Sequence, residues 1–232
     1  MGLLIKYGAN TTIVEAETQK MVYDQLQGKV PVPEVYGWME DGGQVFIYMA
    51  LVEGDTLEQR WTGMSEDERV SVCAQLRGMA QTWRTLHHDQ DGLYIGSINN
   101  QPLNEIFLSR HPALQGPYHG TDAVHRFHQG CDIDIPGDIP VVFTHNDLVP
   151  PNILLTPGPN PRIAAVIDWA QAGWYPAYWE YCKSRRIRTN PDYFDDEVQE
   201  EWNTKYLTRI LDPVDDEAFY HPFVWFYLSK GV

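Results

Sequence analysis

The feature of this chain that most restricts its fold is a loop carrying three polar side chains at a fixed spacing. His145, Asp147 and Asn152 follow the pattern H-x-D-x-x-x-x-N, and a short β-type apolar run lies on each side of them. We therefore expect a strand, this loop and a second strand to form the centre of the functional part of the chain.

A second aspartate stands in a similar position further along the chain. The apolar run Ile163–Ile167 ends directly on Asp168, 16 positions after Asn152. A carboxylate at the end of a buried strand is costly unless a cation or a hydrogen-bond donor meets it. An HxD sequence or a strand-end aspartate alone is also common in turns and caps. The two motifs in this order, each after a β-type run, favour one shared site.

Phosphoryl transfer is a chemistry that needs these residue types together, because its transition state depends on metal-bridged phosphates and an oriented hydroxyl. Asp168 and Asn152 would supply oxygen ligands to Mg²⁺. Asp147 would accept or orient the proton of the attacking hydroxyl. His145 would hold the loop in place. The residues thus predict a metal pair, Asp168 and Asn152, and a catalytic pair, Asp147 and His145.

The same residues resemble those of a known family. The segment His145–Leu154 is similar to H-x-D-L-x-P-x-N-I-L, and Ile167-Asp168-Trp169 to the I-D-W that follows it. Together they resemble the aminoglycoside phosphotransferase and choline kinase-like family, relatives of the protein kinases. Ala172–Glu180 resembles the A-G-W-x-P-x-Y-W-E segment of a branch abundant in fungi. The resemblance extends from about Leu3 to the end of the chain.

The resemblance implies an α+β, protein-kinase-like fold of two lobes. Residues 1–51 would form a small N-terminal lobe with an antiparallel sheet of about three strands and one helix. Residues 52–232 would form a mainly helical C-terminal lobe, in which an insert at about 89–140 shapes the acceptor pocket. ATP would bind in the cleft between the lobes.

The resemblance also assigns roles in the predicted N-terminal lobe. Lys6, on a short strand candidate, matches the lysine that contacts the α and β phosphates of the nucleotide, and Glu15 matches its orienting partner. Two alternatives stay open. Lys6 can be a solvated edge-strand lysine, and Glu15 can complete the capping box Thr12-x-x-Glu15, with Glu17 as the fallback partner of Lys6.

The stretch Met49–Leu57 resembles the hinge between the lobes. There the backbone around Met49 and Leu51 would hydrogen-bond adenine. This assignment rests on the resemblance alone, because recognition by backbone groups leaves little trace in a sequence.

Apolar spacing and capping patterns predict the remaining elements. A capping box, Ser65-x-x-Glu68, opens the clearest helix. The others are strands at Glu34–Trp38 and Val45–Met49, helices at Val14–Leu26, Asp122–Gln129, Pro176–Arg186 and Asp192–Leu211, and an aromatic tail, Phe219–Leu228, packed on the C-terminal lobe. The basic residues that end Pro176–Arg186 are typical complements of a helix dipole.

Three histidines in the predicted insert suggest a metal site as one alternative. His125 and His128 are three positions apart, and His119 precedes them. No carboxylate or cysteine completes a ligand set in that helix, so a polar surface helix is the favoured interpretation.

Composition excludes some classes of partner. The formal net charge of −15 argues against nucleic acid, which needs clustered basic residues, and would suit a cationic acceptor. No apolar run reaches about 18 residues and no signal peptide is evident, so neither a membrane nor export is predicted. Cys73, Cys131 and Cys182 lack paired spacing, as expected of reduced thiols in the cytoplasm.

The chain departs from the family at its start. Kinase-like folds place two strands and a phosphate-covering loop before the lysine strand, but five residues precede Lys6 here and no Gly-rich stretch replaces that loop. The lysine strand would be an exposed edge, which favours a homo-oligomer. Three explanations stay open. The natural start of the chain can lie upstream, the phosphate site can be left uncovered or be covered by a partner, or the fold can serve another chemistry.

Three functions follow from these residues. The first is an ATP- and Mg²⁺-dependent transfer of the γ-phosphate to a hydroxyl of a small molecule. The second is a non-catalytic, pseudokinase-like binding module. The third is a repurposed enzyme that uses the same acidic cleft on a natural-product-like substrate without nucleotide.

Overall fold

The N-terminal part is a three-stranded antiparallel sheet with one helix against it. The computed structural model describes residues 2–88 and 92–230. Strands β1 (Gly2–Tyr7), β2 (Val35–Asp41) and β3 (Gln44–Leu51) pair in the order β1-β3-β2, and helix α1 (Ile13–Leu26) lies between the first two in the chain. The predicted small α/β lobe is therefore confirmed.

The remainder of the chain is mainly helical, with short strands that position the loops. Its helices are α2 (Leu57–Arg60), α3 (Glu66–Trp83), α4 (Ala123–Cys131), α5 (Trp179–Arg186), α6 (Asp196–Glu201), α7 (Leu207–Ile210) and α8 (His221–Lys230). Its strands are β4 (Asp55–Thr56), β5 (Tyr94–Ile95), β6 (Tyr118–His119), β7 (Val141–Thr144), β8 (Ile153–Leu155), β9 (Ile163–Val166) and β10 (Gly173–Pro176). Within residues 2–88 and 92–230 the strands form four sheets, β1-β3-β2, β4-β8-β9, β7-β10 and β5-β6, and every pair of strands in them is antiparallel.

Helix α3 begins at the predicted capping box. The side chain of Ser65 accepts the backbone N–H of Glu68, and the Glu68 carboxylate accepts the backbone N–H of Ser65. The apolar stripe of the helix faces the main core, where Leu76 and Trp83 are almost fully buried. A helix that buries one continuous face gives the C-terminal part its scaffold.

Two predicted helices differ from the structure at their starts. The segment Pro176–Arg186 begins as a strand, because Gly173–Pro176 pairs with β7, and the helix proper starts at Trp179. The helix predicted from Asp192 starts at Asp196, capped by the Asp195 side chain, which accepts the N–H of Val198. Its middle, Trp202–Tyr206, is π-helical. Local propensity does not reveal a strand whose partner is about 30 residues away.

The aromatic tail packs on the helical part, as the sequence predicts. Phe223 and Phe226 are fully buried, and their rings lie 5.1 and 5.3 Å from the ring of Trp179. Trp225 and Leu228, on the other side of α8, are about two-thirds exposed. The tail thus closes the core and leaves one apolar strip in solvent.

Strand β1 is an edge strand. Its side chains are largely in solvent, with Leu3 56%, Ile5 44% and Tyr7 64% exposed. Within the described residues, only β3 pairs with it. Self-association through this edge stays a prediction. No helix in the described part of the chain is long and apolar enough to cross a membrane.

Candidate active site

The loop after β7 carries three of the predicted site residues on a short stretch of backbone. Strand β7 ends at Thr144, and a 3₁₀ turn, Pro150–Asn152, leads into β8. The Asn152 Nδ2 donates to the backbone oxygen of Asp147 and to its Oδ2, both at 2.9 Å. Because the amide nitrogen is used in this way, Asn152 keeps its Oδ1 as an oxygen ligand.

His145 joins this loop to the strand that ends at Asp168. Its ring Nε2 lies 2.9 Å from the backbone oxygen of Ile167, and its Nδ1 accepts the backbone N–H of Asp147 at 3.2 Å. A carbonyl oxygen only accepts, so Nε2 carries the proton and the ring is neutral. Burial lowers the pKa of His145, although the nearby Asp147 carboxylate opposes this. His145 therefore acts as a structural bridge.

The strand-end aspartate meets the lysine of β1. The Lys6 Nζ donates to Glu15 Oε1 at 2.5 Å and to Asp168 Oδ1 at 3.0 Å. The Glu15 side chain is 1% exposed, whereas those of Lys6 and Asp168 are about one-third exposed. The cation that a strand-end carboxylate requires is thus supplied from a strand 162 positions away.

Burial and charge act in opposite directions on this trio. Burial lowers the pKa of Lys6, but attraction from Glu15 and Asp168 outweighs it, so the net pKa is raised above 10.5. Burial raises the pKa of Glu15 above 4.5 despite the opposing effect of Lys6. An anionic ligand beside Lys6 would meet an amine that is fully protonated at neutral pH.

The contacts of Glu15 involve both its backbone and its carboxylate. Thr12 caps α1 by accepting the backbone N–H of Glu15, but the Glu15 carboxylate contacts Lys6 and does not complete the capping box. Glu17 lies on another face of the helix and accepts the side-chain amide of Asn99 at 3.0 Å. The backbone N–H of Glu15 thus takes part in the cap of α1, while its carboxylate is the partner of Lys6.

A cavity of about 230 Å³ opens beside Lys6 and the end of β3. Its apolar walls include Leu4, Met49, Val52, Leu154 and Ile167. The Met49 side chain lines it, and in the sheet Met49 is paired with Leu4. Leu51 is 44% exposed and is not among the lining residues, whereas its neighbours Ala50 and Val52 are. The adenine contacts assigned to Met49 and Leu51 stay predictions.

Two buried acids near the loop were given no role from the sequence. The fully buried Glu180 accepts the backbone N–H groups of His145 and Asn146 at 2.8 and 3.1 Å. Glu105, in the predicted insert, accepts the Asn146 side-chain amide at 2.5 Å. Their positions within otherwise apolar surroundings could have flagged them, since a buried carboxylate needs such partners.

Glu105 is also the centre of a buried ion pair. Lys183 Nζ donates to Glu105 Oε1 and to Gln171 Oε1, both at 2.7 Å, and Trp179 Nε1 donates to Glu105 Oε2 at 3.2 Å. The Lys183 side chain is 1% exposed. Lys183 lies in the last turn of α5, as a complement of the helix dipole would, but its amine is in the core beside a carboxylate, which the sequence did not indicate.

The helix of the insert that carries His125 and His128 is only partly the polar surface helix that the sequence favours, because Val124, Phe127 and His128 are buried. Among the described residues, no group of three or more His, Cys, Asp or Glu side chains could hold a metal ion. His128 is buried against the Tyr178 hydroxyl, 2.9 Å from its Nε2, while His125 is exposed. Burial lowers the pKa of His128 to about 4, so the ring is neutral in the core.

The residues Asp168 and Asn152 fit a hard divalent cation in their chemistry. Each has a side-chain oxygen that its hydrogen bonds leave uncommitted, and Mg²⁺ is commonly held by one or two protein oxygens together with substrate phosphates and water.

A small sheet that carries Lys6, a helix that carries its partner Glu15, a mainly helical second part and an HxD loop together define a protein-kinase-like fold. The family model of the phosphotransferase enzyme family matches residues 8–223, and the chain belongs to this family. A search of curated proteins gave no match. The family supports a small-molecule phosphotransferase as the general class.

Solved structures of aminoglycoside phosphotransferases share the fold. A thermostable variant of APH(4)-Ia, in a complex with ADP and hygromycin B, matches with a TM-score of 0.58 at 17% identity over 97% of this chain and 75% of that chain. An aminoglycoside-3'-phosphotransferase of type VIII matches with a TM-score of 0.58 at 18% identity, over 97% of this chain and 84% of that chain. APH(3'')-Id from Streptomyces rimosus, in a complex with ADP and streptomycin, matches with a TM-score of 0.57 at 16% identity, over 97% of this chain and 85% of that chain.

Proposed function

We propose that this protein transfers the γ-phosphate of ATP to a hydroxyl group of a small molecule, with Mg²⁺ as cofactor. The observation that carries the proposal is the position of the Lys6 amine between Glu15 and Asp168, at 2.5 and 3.0 Å. A cation held by two carboxylates at the mouth of an apolar cavity suits a nucleotide whose base enters the cavity and whose phosphates reach the amine.

The roles of the chain's own residues follow from their contacts. Lys6 would bind the phosphates, oriented by Glu15, and Asp168 and Asn152 would hold the metal, which neutralises phosphate charge when bound. The acceptor oxygen would form a bond to the γ-phosphorus while the bond to the β–γ bridging oxygen breaks and ADP leaves. The hydroxyl proton would pass to Asp147, which the Asn152 amide holds at 2.9 Å.

Nucleotide binding is tested by thermal unfolding of the purified chain with and without Mg-ATP. A ligand that binds only the folded state stabilises it by about 2.7 kcal/mol at a concentration of 100 times its Kd. We expect a clear upward shift of Tm that Asp168→Ala removes and that Asp192→Ala, at an exposed aspartate, leaves in place. An unchanged Tm with both Mg-ATP and Mg-ADP would reject the proposal.

The binding-module alternative differs in turnover. It predicts a shift of Tm with nucleotide or with a partner, but no phosphorylated product. Product that appears with Mg-ATP and disappears in Asp147→Asn would eliminate it. The repurposed-enzyme alternative predicts no nucleotide in the cleft, so a structure with bound nucleotide would count against it.

A further inference from the structure

A second cavity lies on the other side of the Lys6–Glu15–Asp168 trio. It measures about 550 Å³ and shares these three residues with the smaller apolar cavity. Its remaining walls come from the loop before α1, from the 104–109 segment of the insert and from the residues after Asp168. If the proposed function holds and the nucleotide occupies the smaller cavity, this larger one adjoins the phosphate end and is the space for the acceptor.

The charges in this cavity are already engaged. Its described lining has two carboxylates, Glu15 and Asp168, and both contact Lys6. The proposed roles of these groups, orienting the lysine and holding the metal, keep them engaged when nucleotide is bound. The other polar lining groups are neutral amides and hydroxyls: Asn10, Thr11, Thr12, Asn104, Ser109 and Gln171. The described lining therefore has a formal charge of about −1, with no acid left unpaired, although the chain carries a net charge of −15.

Two of the amides are held in one orientation by hydrogen bonds to the backbone of the cavity wall and to Lys183. Gln171 Oε1 accepts the Lys183 amine at 2.7 Å and the backbone N–H of Ile106 at 3.1 Å. Both partners are donors, so the oxygen must face them and the Nε2 is left as a donor to the cavity. Asn104 Nδ2 donates to the backbone oxygen of Ala170 at 3.0 Å, which leaves its Oδ1 as an acceptor.

We infer that this cavity selects a neutral, hydroxyl-rich acceptor, such as a sugar or cyclitol, over an amine-bearing one. A hydroxyl can accept from Gln171 and donate to Asn104, whereas an ammonium only donates and would meet the Gln171 amide as a second donor. No carboxylate of the described lining is left to offset its charge. This selection deepens the proposed function, on which it depends, and differs from the cationic acceptor that the whole-chain charge would suit.

The orientation of Gln171 is difficult to reverse. Turning its amide would place an NH₂ group against the buried Lys183 amine, which Glu105 fixes at 2.7 Å. Asn146, the residue before Asp147, also donates to the backbone oxygen of Gln171 at 3.2 Å. A hydrogen bond therefore joins Gln171, which would contact the acceptor, to the loop that carries the proposed base. Only the reacting hydroxyl of the acceptor must reach Asp147.

The test compares neutral sugars with their amino counterparts, beginning with glucose and glucosamine and with galactose and galactosamine. Binding to the whole chain is measured by saturation-transfer NMR in the presence of Mg-ADP. We expect the neutral member of each pair to give the stronger signal. Gln171→Glu keeps an oxygen for Lys183 and turns the other atom into an acceptor, so it should move the preference about tenfold or more towards the amine. Gln81→Glu, at an exposed position on α3, is the matched charge control and should behave like the wild type.

Three results would overturn the inference: a wild-type preference for the amines, no signal from any neutral sugar, or the same preference in Gln171→Glu as in Gln81→Glu. The thermal shift with Mg-ATP is recorded on the same samples. If Mg-ATP raises the Tm of the wild type but the wild type prefers amino sugars, the neutral acceptor class alone is rejected. If Mg-ATP leaves the Tm of the wild type unchanged, the proposed function itself is rejected.

Discussion

The carboxylate of Glu180 accepts the backbone N–H of His145 at 2.8 Å, across 35 positions of the chain. The same oxygen accepts the next N–H, that of Asn146, at 3.1 Å. Asn146 has a left-handed conformation, with φ of 63°, which turns the chain sharply before Asp147. One fully buried carboxylate on α5 thus supports the turn that presents the proposed base.

Removal of this carboxylate should destabilise the fold, because the loop loses its buried acceptor. Glu180→Ala leaves two buried N–H groups without an acceptor, and each costs about 1–3 kcal/mol. We expect the free energy of unfolding to fall by about 3 kcal/mol in a urea titration. Glu200→Ala, at an exposed position of α6, should change it by less than about 0.5 kcal/mol. Equal midpoints for the two variants would contradict the role of Glu180.

Two glutamates on α1 provide a matched test of the Lys6 partner. Glu15→Gln removes the charge that contacts Lys6, while Glu17→Gln removes a charge that contacts Asn99. A charge-assisted hydrogen bond contributes about 1.5–3 kcal/mol, so Glu15→Gln should weaken Mg-ATP binding about 10- to 100-fold by calorimetry. Glu17→Gln should bind like the wild type. The opposite order would restore Glu17 as the partner of Lys6.

The buried Glu105–Lys183 pair should show strong coupling. Lys183→Met leaves the Glu105 carboxylate buried without its cation, at a cost of about 3–5 kcal/mol in unfolding free energy. In the double variant with Glu105→Gln the lost interaction is counted once, so the combined cost should be about 1–3 kcal/mol smaller than the sum of the single costs. Additive costs in denaturant titrations would mean that the two side chains do not depend on each other.

His128 should make stability depend on pH in an acidic window. Burial lowers its folded-state pKa from 6.5 to about 4, so the folded protein favours the neutral ring. The stabilisation is present above pH 6.5 and is lost as the pH falls towards about 4. The loss from this group is about 3 kcal/mol. His128→Gln should show a shallower decline over that window, whereas His125→Gln, at an exposed position of the same helix, should follow the wild type. Parallel curves for His128→Gln and the wild type would disprove this assignment.

The sequence predicted elements well where the signal is local. The capping box at Ser65 and Glu68 placed the start of α3 correctly, because both partners lie within one helical turn. The start of α5 was misplaced, because Gly173–Pro176 is a strand only through its pairing with β7. The same distinction separates the HxD loop, which is evident from its spacing, from Glu180, which supports that loop from another element.

Charged residues show the limit most clearly. Lys183 has the sequence context of a surface residue at a helix end, yet its amine is buried against Glu105, 78 positions earlier. Glu15 fits a capping box and a lysine partner equally well by spacing, and only the tertiary structure places its carboxylate at Lys6. Gln171 carried no signal at all, since its role depends on which of its two amide atoms is occupied.

From the sequence alone came the succession of strands and helix along the N-terminal part, the loop with its histidine, aspartate and asparagine, and the resemblance to the family to which the chain belongs. These depend on residue types and spacings within a few turns of chain. Tertiary structure alone decided which buried charges meet, which amide atoms face the larger cavity and how the proposed base is held. The physical reason is that ion pairs and hydrogen bonds act over about 3 Å, so their partners are chosen by the packing of whole elements and leave no mark at either position in the chain.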